Sequence, residues 1–261
     1  MKPVSVVVGA SPLILSQPHS GVFVPEEISI KLNECGRQLR DTDWHVPALY
    51  KELVSDVTIV RANFSRYVVD ANRDPSGQSL YPGQYTTGLV PTTTFDGEPI
   101  WHDPPTDADI EQRRIAFHQP FHDQLRAEID RVKQQHGYAI LFDCHSIRSV
   151  VPHLFDGQLP DLNIGTNGGT SCARSISGAV ENICNDHDAY RSVLDGRFKG
   201  GWITRHYGEP SSNVHAVQME IAQRCYLKSE LAPFAFDQKK AENLRAVLKQ
   251  ILCRLQEIKI A

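Results

Sequence analysis

Residues 13–24 read LILSQPHSGVFV, a short apolar run that stops abruptly at the PHSG of 18–21. The pattern predicts a buried strand followed by a turn that presents the imidazole of His19. In an open α/β sheet, ligands bind beyond the carboxyl ends of the strands. A lone histidine at such a place is more often structural, so the interpretation of His19 depends on what the other strand ends carry.

A second strand end carries complementary chemistry. Residues 138–146, YAILFDCHS, form the most apolar strand pattern of the chain. Residues two apart on a strand share a face, so Asp143 and His145 point the same way and Cys144 points oppositely. A carboxylate beside an imidazole is the usual means of orienting a metal-binding histidine. We therefore predict His145 as a metal ligand and Asp143 as its supporting residue.

Residues 39–47 lead into a predicted helix that runs through Leu53 and supplies a carboxylate to the same site. Asp41 or Thr42 is suited to be its N-cap, and Asp43 then falls on the inward face. An acid in a first helical turn is also favoured by the helix dipole alone, which leaves a purely structural alternative. Asp43 is our third candidate ligand, with Asp41 and His45 as reserves.

The next predicted strands, 57–62 and 67–71, are rich in β-branched residues. The second leads directly into Asn72 and Arg73. A guanidinium donates two parallel hydrogen bonds to a carboxylate, and an amide adds another, so this pair suits an acidic substrate. Pairing of the arginine with a neighbouring aspartate in a turn is the structural alternative.

Two long segments follow, and they differ in character. Residues 76–105 are rich in Gly, Pro and Thr without periodicity, which predicts an irregular insert beside the site. Residues 107–136 are amphipathic and predict one helix, disturbed near Pro120. His118 and His122 lie four residues apart on this helix. Without an accompanying carboxylate, they are better interpreted as structural than as metal ligands.

Residues 160–172, PDLNIGTNGGTSC, predict a strand and a loop rich in glycine and hydroxyl groups. The loop lacks the glycine order and the lysine of nucleotide-binding motifs. Its amides and hydroxyls suit a small polar substrate, with Gly165, Thr166 and Thr170 as candidate contacts. Residues 200–206 are interpreted as a further strand edge.

Residues 215–221, HAVQMEI, alternate in polarity and predict a strand. Gln218 and Glu220 share one face, and we include Gln218 among the substrate contacts. Glu220 lies between apolar neighbours near the strand end, where desolvation raises the pKa of a carboxyl towards neutrality. It is therefore our candidate general base and acid. A solvent-facing glutamate on an edge strand is the alternative.

The whole pattern alternates strands and helices, and it predicts a single catalytic domain over residues 1–261. The expected fold is α/β, a three-layer αβα sandwich with a mixed, mostly parallel sheet. The net charge of −4 is dispersed, which argues against nucleic-acid and membrane partners and for a small molecule. Six widely spaced cysteines indicate free thiols in a cytoplasmic protein.

The candidate residues together describe one kind of chemistry. Catalytic zinc commonly takes three ligands such as His19, Asp43 and His145 and keeps a fourth position for water. Glu220 supplies the base, and Arg73 anchors an acidic substrate. The sequence therefore predicts metal-assisted hydrolysis of an amide in a small molecule that carries a carboxylate.

Several motifs, dispersed over nearly the whole chain, resemble those of the N-formylglutamate amidohydrolase family. They are PHSG at 18–21, DTDW at 41–44, RYVVDANRDPSG at 66–77, DCHS at 143–146, GTNGGTSC at 165–172 and HAVQMEI at 215–221. The resemblance implies a fold similar to that of zinc-dependent carboxypeptidases and aspartoacylases (phosphorylase/hydrolase-like). It also implies one divalent metal ion, expected to be zinc, and hydrolysis of N-formyl-L-glutamate to formate and L-glutamate in histidine degradation.

The chain departs from the pattern of those distant relatives at one ligand. They carry His-x-x-Glu, whereas the residue three after His19 is Val22. The second ligand must then come from elsewhere, and Asp43 is our choice. Arg148 follows the DCHS motif, and we expect it to provide a second cation, because glutamate carries two carboxylates.

Three alternatives remain open from the sequence. A related metallo-carboxypeptidase or N-acyl amino acid amidase would use the same ligands. A thiol hydrolase would need Cys144 and His145 within hydrogen-bond reach, which strand alternation disfavours. A binding module for acidic amino acids would keep Arg73 and Arg148 without needing Glu220. The oligomeric state is not indicated.

Overall fold

The apolar stretch 13–17 forms an interior strand of a single sheet in the computed structural model, which describes residues 1–78 and 86–260. Within these residues the sheet has seven strands. They are β1 (Val4–Val7), β2 (Leu13–Gln17), β3 (Thr58–Ala62), β4 (Ala139–Ile147), β5 (Leu162–Gly165), β6 (Ser192–Leu194) and β7 (Val214–Ala222).

The strand order is β1-β3-β2-β4-β7-β5-β6. The four central strands β3, β2, β4 and β7 run parallel, while β1 is antiparallel to β3, and β5 is antiparallel to β7. The sheet is therefore mixed, as predicted. Because β2, β4 and β7 are parallel neighbours, their carboxyl ends meet at one edge, where the sequence places its candidate residues.

Eight α-helices complete the described fold. They are α1 (Glu26–Ser29), α2 (Glu34–Arg37), α3 (Val46–Tyr50), α4 (Asp107–Arg113), α5 (Gln119–His136), α6 (Arg174–Asn185), α7 (Trp202–Tyr207) and α8 (Gln238–Glu257). None of these helices combines the length and the apolar character needed to cross a bilayer.

Alternating side chains give the sheet a hydrophobic core on each face. Leu13 and Leu15 of β2 pack in one core with α3, α6 and α8. Ile14 points oppositely and packs in a second core with α5 and α7. All three side chains are fully buried, which fixes the register of β2, since a slip by one residue would exchange the two faces.

The predicted helix over 107–136 is confirmed, together with its disturbance. Thr106 and Asp109 form a reciprocal capping box at the start of α4. A single π-helical turn, Arg114–His118, separates α4 from α5 immediately before Pro120. Proline has no N–H to donate to the preceding turn, so a break in the regular helix at this point has a local cause.

Three local predictions are wrong. Residues 67–71 form no strand; they cross the second core as a buried turn. Their β-branched side chains are therefore explained by burial and not by a strand. Residues 200–206 are not a strand edge, because α7 begins at Trp202. The helix expected from a cap at Asp41 or Thr42 through Leu53 is only Val46–Tyr50, and Asp43 precedes it.

The irregular insert lies partly outside the described residues, which resume at 86. From there to 105 the chain has no helix and no regular strand, only isolated bridges such as the one between Thr93 and Pro99. It is nonetheless well packed, because Phe95, Ile100 and Trp101 are buried. The described part of the insert thus packs against the hydrophobic clusters of the fold.

Candidate active site

A cavity of about 650 Å³ opens at the carboxyl ends of β2, β4 and β7. The predicted residues that line it are His19, Asp43, Asn72, Arg73, His145, Gln218 and Glu220. Strand ends and the loops behind them therefore bring together residues that are up to about two hundred positions apart in the chain.

His19, Asp43 and His145 form a compact buried cluster in this cavity. One potential ligand atom from each lies within 4.8 Å of the others. Asp43 Oδ2 is 3.2 Å from His145 Nδ1 and 3.9 Å from His19 Nδ1. Asp43 Oδ1 is buried without a hydrogen-bond partner in the described part of the chain. Arg66 Nη1 lies 3.9 Å from this oxygen, whereas Asp43 Oδ2 and the two Nδ1 atoms converge as the ligands of a cation do.

The outer nitrogen of each imidazole faces a carboxylate. His19 Nε2 donates to Asp70 Oδ1 at 2.6 Å, and His145 Nε2 lies 3.1 Å from Asp143 Oδ2. This arrangement directs both Nδ1 atoms towards Asp43, as in metal sites whose histidines are oriented by acidic residues. Asp143 therefore lies where the sequence predicts it. Asp70 was missed as an orienting residue, because its role depends on the turn at 67–71.

Buried charges set the protonation of this cluster. Burial raises the pKa of Asp70, but nearby positive charges outweigh this effect and hold the pKa well below its usual value. These charges belong to Arg66, whose Nη2 lies 2.7 Å from Asp70 Oδ2, and to His19 and Arg73. Burial and Arg66 lower the pKa of His19, which leaves its Nδ1 lone pair available. Burial also lowers the pKa of His145, yet Asp143 and Asp43 together keep it well above its usual value. The carboxylates of Asp43, Asp70 and Asp143 thus favour a positive charge, such as that of a cation, between the two imidazole rings.

Glu220 faces the cluster from β7. Its side chain is only 8% exposed. Burial raises the pKa of Glu220 to about 8, against the opposing effect of His145. Gln218 Nε2 donates to Glu220 Oε2 at 3.2 Å, and Gln218 Oε1 accepts from the Gly201 N–H at 2.7 Å. A carboxyl with a near-neutral pKa can both accept and release a proton at physiological pH.

The two reserve ligands are engaged elsewhere. Asp41 Oδ2 accepts from the Tyr67 hydroxyl at 2.8 Å and from the Phe95 N–H at 2.9 Å. His45 Nε2 lies 2.9 Å from the carbonyl oxygen of Phe234. Among these three candidates, only Asp43 lies beside both histidines, although it does so from a loop and not from a helical face.

Comparison with known proteins identifies a family for this chain. The sequence profile described as N-formylglutamate amidohydrolase matches residues 11–227. This chain belongs to the N-formylglutamate amidohydrolase family. The resemblance in its motifs is thereby confirmed.

Curated relatives support the same membership of the N-formylglutamate amidohydrolase family. An N-formylglutamate deformylase from Pseudomonas putida is 44% identical over 248 residues, which cover 94% of this chain and 92% of that protein. One from Pseudomonas aeruginosa is 46% identical over 249 residues, with the same coverage of 94% and 92%.

Solved structures have the same fold as this member of the N-formylglutamate amidohydrolase family. The N-formylglutamate amidohydrolase from Ralstonia eutropha JMP134 superposes with a TM-score of 0.82 at 24% identity and covers 98% of both chains. A second structure, a gene product from Agrobacterium tumefaciens, has a TM-score of 0.73 at 18% identity and covers 98% of this chain and 97% of the other. At such identities the likeness concerns the fold.

In this member of the N-formylglutamate amidohydrolase family, the arginine side chains that line the cavity are not all those predicted from the sequence. Arg148 is not among the residues that line the cavity, and its Nη2 pairs with Asp96 Oδ2 at 2.7 Å. Arg197 lines the cavity, and its Nε donates to the carbonyl oxygen of Leu154 at 2.9 Å. Sequence reasoning missed Arg197 because it lies in a stretch without a recognisable motif.

The glycine-rich loop is also placed differently. Gly165, Thr166 and Thr170 do not line the cavity. Thr166 is fully buried, and the Thr170 hydroxyl donates within its own loop. A Cβ at Gly165 would meet the Gly200 nitrogen at 2.5 Å, so this glycine permits a close approach of the segment that enters α7. The loop therefore affects the site indirectly, by packing against the segment that enters α7.

Cys144 points away from the cavity, as strand alternation predicts. Its thiol is buried in the core formed with α3, α6 and α8 and contacts the Phe142 carbonyl oxygen at 3.5 Å. Burial raises the pKa of this thiol well above its usual value, which disfavours a thiolate nucleophile.

Proposed function

We propose that this chain hydrolyses N-formyl-L-glutamate to formate and L-glutamate, a step of histidine degradation. The observation that carries the proposal is the buried cluster of His19, Asp43 and His145, which shares one cavity with Glu220 and with arginine side chains. The names of the curated Pseudomonas relatives support the same reaction.

We propose that the cluster holds one divalent metal ion, zinc. Two imidazole nitrogens and one carboxylate oxygen form a typical ligand set for catalytic zinc. The position of Asp43 Oδ2 beside both Nδ1 atoms and the acidic partners of both imidazoles fit this assignment. A zinc ion bound there would supply Lewis-acid chemistry, by polarising a carbonyl group and lowering the pKa of water.

Glu220 is the proposed proton carrier. Its carboxylate takes a proton from the water that attacks the formyl carbon, and it then delivers this proton to the amine nitrogen as the carbon–nitrogen bond breaks. Burial prepares it for both steps, because it brings the pKa of Glu220 to about 8. Gln218 holds the carboxyl in place through its hydrogen bond to Glu220 Oε2.

Two arginines are the proposed partners of the two substrate carboxylates. Arg73, beside Asn72, retains the role suggested by the sequence, since both residues line the cavity. Arg197 replaces Arg148 as the second cation, because Arg148 is paired with Asp96 outside the lining. Separate cations for separate carboxylates would favour acidic over neutral N-formyl amino acids.

We further propose a single catalytic domain over residues 1–261, a three-layer αβα sandwich similar to zinc-dependent carboxypeptidases and aspartoacylases. The core on each face of the one sheet supports this description. We also propose a cytoplasmic enzyme that acts on a small acidic molecule, without nucleic-acid or membrane partners. Six unpaired cysteines favour a reducing compartment.

Formate release tests the proposed function. The enzyme is assayed with N-formylglutamate, N-formylaspartate and N-acetylglutamate, with and without chelator and added zinc. We expect fastest release of formate from N-formylglutamate, its loss with chelator and its recovery with zinc. Faster release of glutamate from N-acetylglutamate, or from a peptide with a C-terminal glutamate assayed alongside, would indicate an amidase or a carboxypeptidase. Glutamate binding without any formate would indicate a binding module.

A further inference from the structure

Two histidines outside the cavity lining contact the backbone that carries Asn72 and Arg73. His118 Nε2 lies 3.1 Å from the carbonyl oxygen of Arg73. His122 Nε2 lies 2.9 Å from the carbonyl oxygen of Ala71. A carbonyl oxygen only accepts, so both Nε2 atoms carry the proton and donate. The two imidazoles therefore hold the peptide groups on either side of Asn72.

The tautomer of His122 is fixed from its other side. The Tyr207 hydroxyl, on α7, lies 2.9 Å from His122 Nδ1 and donates to it. Burial lowers the pKa of both His118 and His122, which keeps the rings neutral with one donor nitrogen each. Because both Nε2 protons are used by carbonyl groups, this pair is not arranged to bind a metal ion.

The segment held in this way reaches directly into the site. The Asn72 N–H donates to Asp70 Oδ1 at 2.8 Å, and Asn72 Oδ1 accepts from the Ile203 N–H at 2.8 Å. Its amide nitrogen lies 3.1 Å from His145 Nε2. Asn72 is therefore held by the turn at Asp70 and by α7, and a shift of its backbone would move both the amide and the neighbouring Arg73.

We propose that His118 and His122, with Tyr207, are positioning residues that align Asn72 and Arg73 with a substrate carboxylate. They act through the carbonyl groups of residues 71 and 73 and do not contact the reacting atoms. The proposal rests on the proposed function, since it assigns the contact between Arg73 and a carboxylate of N-formylglutamate as the interaction that the two histidines support.

Steady-state kinetics of His118→Leu and His122→Leu test the proposal. Loss of one hydrogen bond should raise KM for N-formylglutamate about five- to tenfold, with kcat nearly unchanged, because binding and not chemistry is weakened. His118→Gln, whose amide nitrogen reaches the same carbonyl group, should restore most of the affinity. His206→Leu is the matched control, because His206 stacks on Trp202 in the same aromatic group and its ring contacts Arg126.

The two monoamides of N-formylglutamate identify the interaction. The KM penalty of His118→Leu should persist for one monoamide and vanish for the other, which lacks the carboxylate bound by Arg73. An equal penalty for all three substrates, an unchanged KM, or an equal effect of His206→Leu would overturn the proposal.

Amide hydrogen exchange separates this proposal from the proposed function. Exchange at Asn72 and Arg73 should accelerate about fivefold or more in His118→Leu but not in His206→Leu. If the wild-type chain releases no formate, the proposed function fails, while this measurement still decides whether the histidines order the segment. If exchange at Asn72 and Arg73 were as slow in His118→Leu as in the His206→Leu control, the positioning role would be overturned.

Discussion

His145 and Glu220 lie directly opposite one another on the parallel strands β4 and β7. Side chains of such partners project from the same face, across a strand spacing of about 4.8 Å. A candidate ligand and the candidate base are therefore held by the same ladder of backbone hydrogen bonds. This relationship makes their separation a property of the sheet and not of a flexible loop.

Replacement of Glu220 by Gln should separate metal binding from catalysis. The amide cannot accept the proton of the attacking water, so kcat should fall by about 10²- to 10⁴-fold, while zinc content stays that of the wild type. Formate release and metal analysis of the same preparation measure both. Glu27→Gln, on the exposed first turn of α1, is the control. Near-normal turnover in Glu220→Gln would exclude the proposed role.

His19→Ala and His145→Ala should each abolish stoichiometric zinc binding, because each removes one of three protein ligands. Metal analysis after dialysis against a weak chelator provides the measurement. His102→Ala, at an exposed position, should keep its metal. Full zinc content in both buried variants would show that the cluster is not the metal site.

Asp70→Asn should weaken zinc binding by about 10- to 100-fold, because the amide no longer orients and polarises His19 as the carboxylate does. It also removes the nearer of the two carboxylates that pair with the buried Arg66, so the free energy of unfolding should fall by about 1.5–3 kcal/mol. Competition with a chromophoric chelator and thermal unfolding measure the two effects. Asp74→Asn, four residues further along, should change neither; an unaltered zinc affinity in Asp70→Asn would contradict the orienting role.

Arg197→Gln and Arg148→Gln distinguish the two candidates for the second cation. A charged hydrogen bond contributes about 1.5–3 kcal/mol, so KM for N-formylglutamate should rise at least about tenfold in Arg197→Gln. Arg148→Gln should leave KM unchanged, because its partner in the structure is Asp96. The reverse pattern of KM values would return the role to Arg148.

The strand ends were the most predictable part of the molecule. Apolar runs that end at His19 and His145 indicate buried strands and polar tips without any knowledge of tertiary contacts, and the alternating stretch 215–221 indicates the strand that carries Glu220. The parallel order of β2, β4 and β7 then brings these tips together. Local sequence contains this information because burial on both faces of a strand requires a continuous apolar run.

The loop residues were less predictable, for a physical reason. Asp70 becomes an orienting residue only because residues 67–71 turn through the core, which their β-branched composition does not reveal. Arg197 reaches the cavity because its Nε binds the carbonyl group of Leu154, more than forty residues earlier in the chain. The sequence predicts Asp43 on a helical face, yet it reaches both histidines from a loop. Long-range packing determines such positions.

The π-helical turn at Arg114–His118 determines how the side chains of α4 are rotated about the helix axis relative to those of α5. On one side of it, Arg113 of α4 donates to the Val68 carbonyl oxygen and lies over the Trp101 ring at 4.8 Å. On the other side, His122 of α5 contacts Ala71. Deletion of one residue from this turn would rotate α4 by about 100° relative to α5, so only one of these contacts would survive. The number of residues between the two contacts is therefore as constrained as their identity.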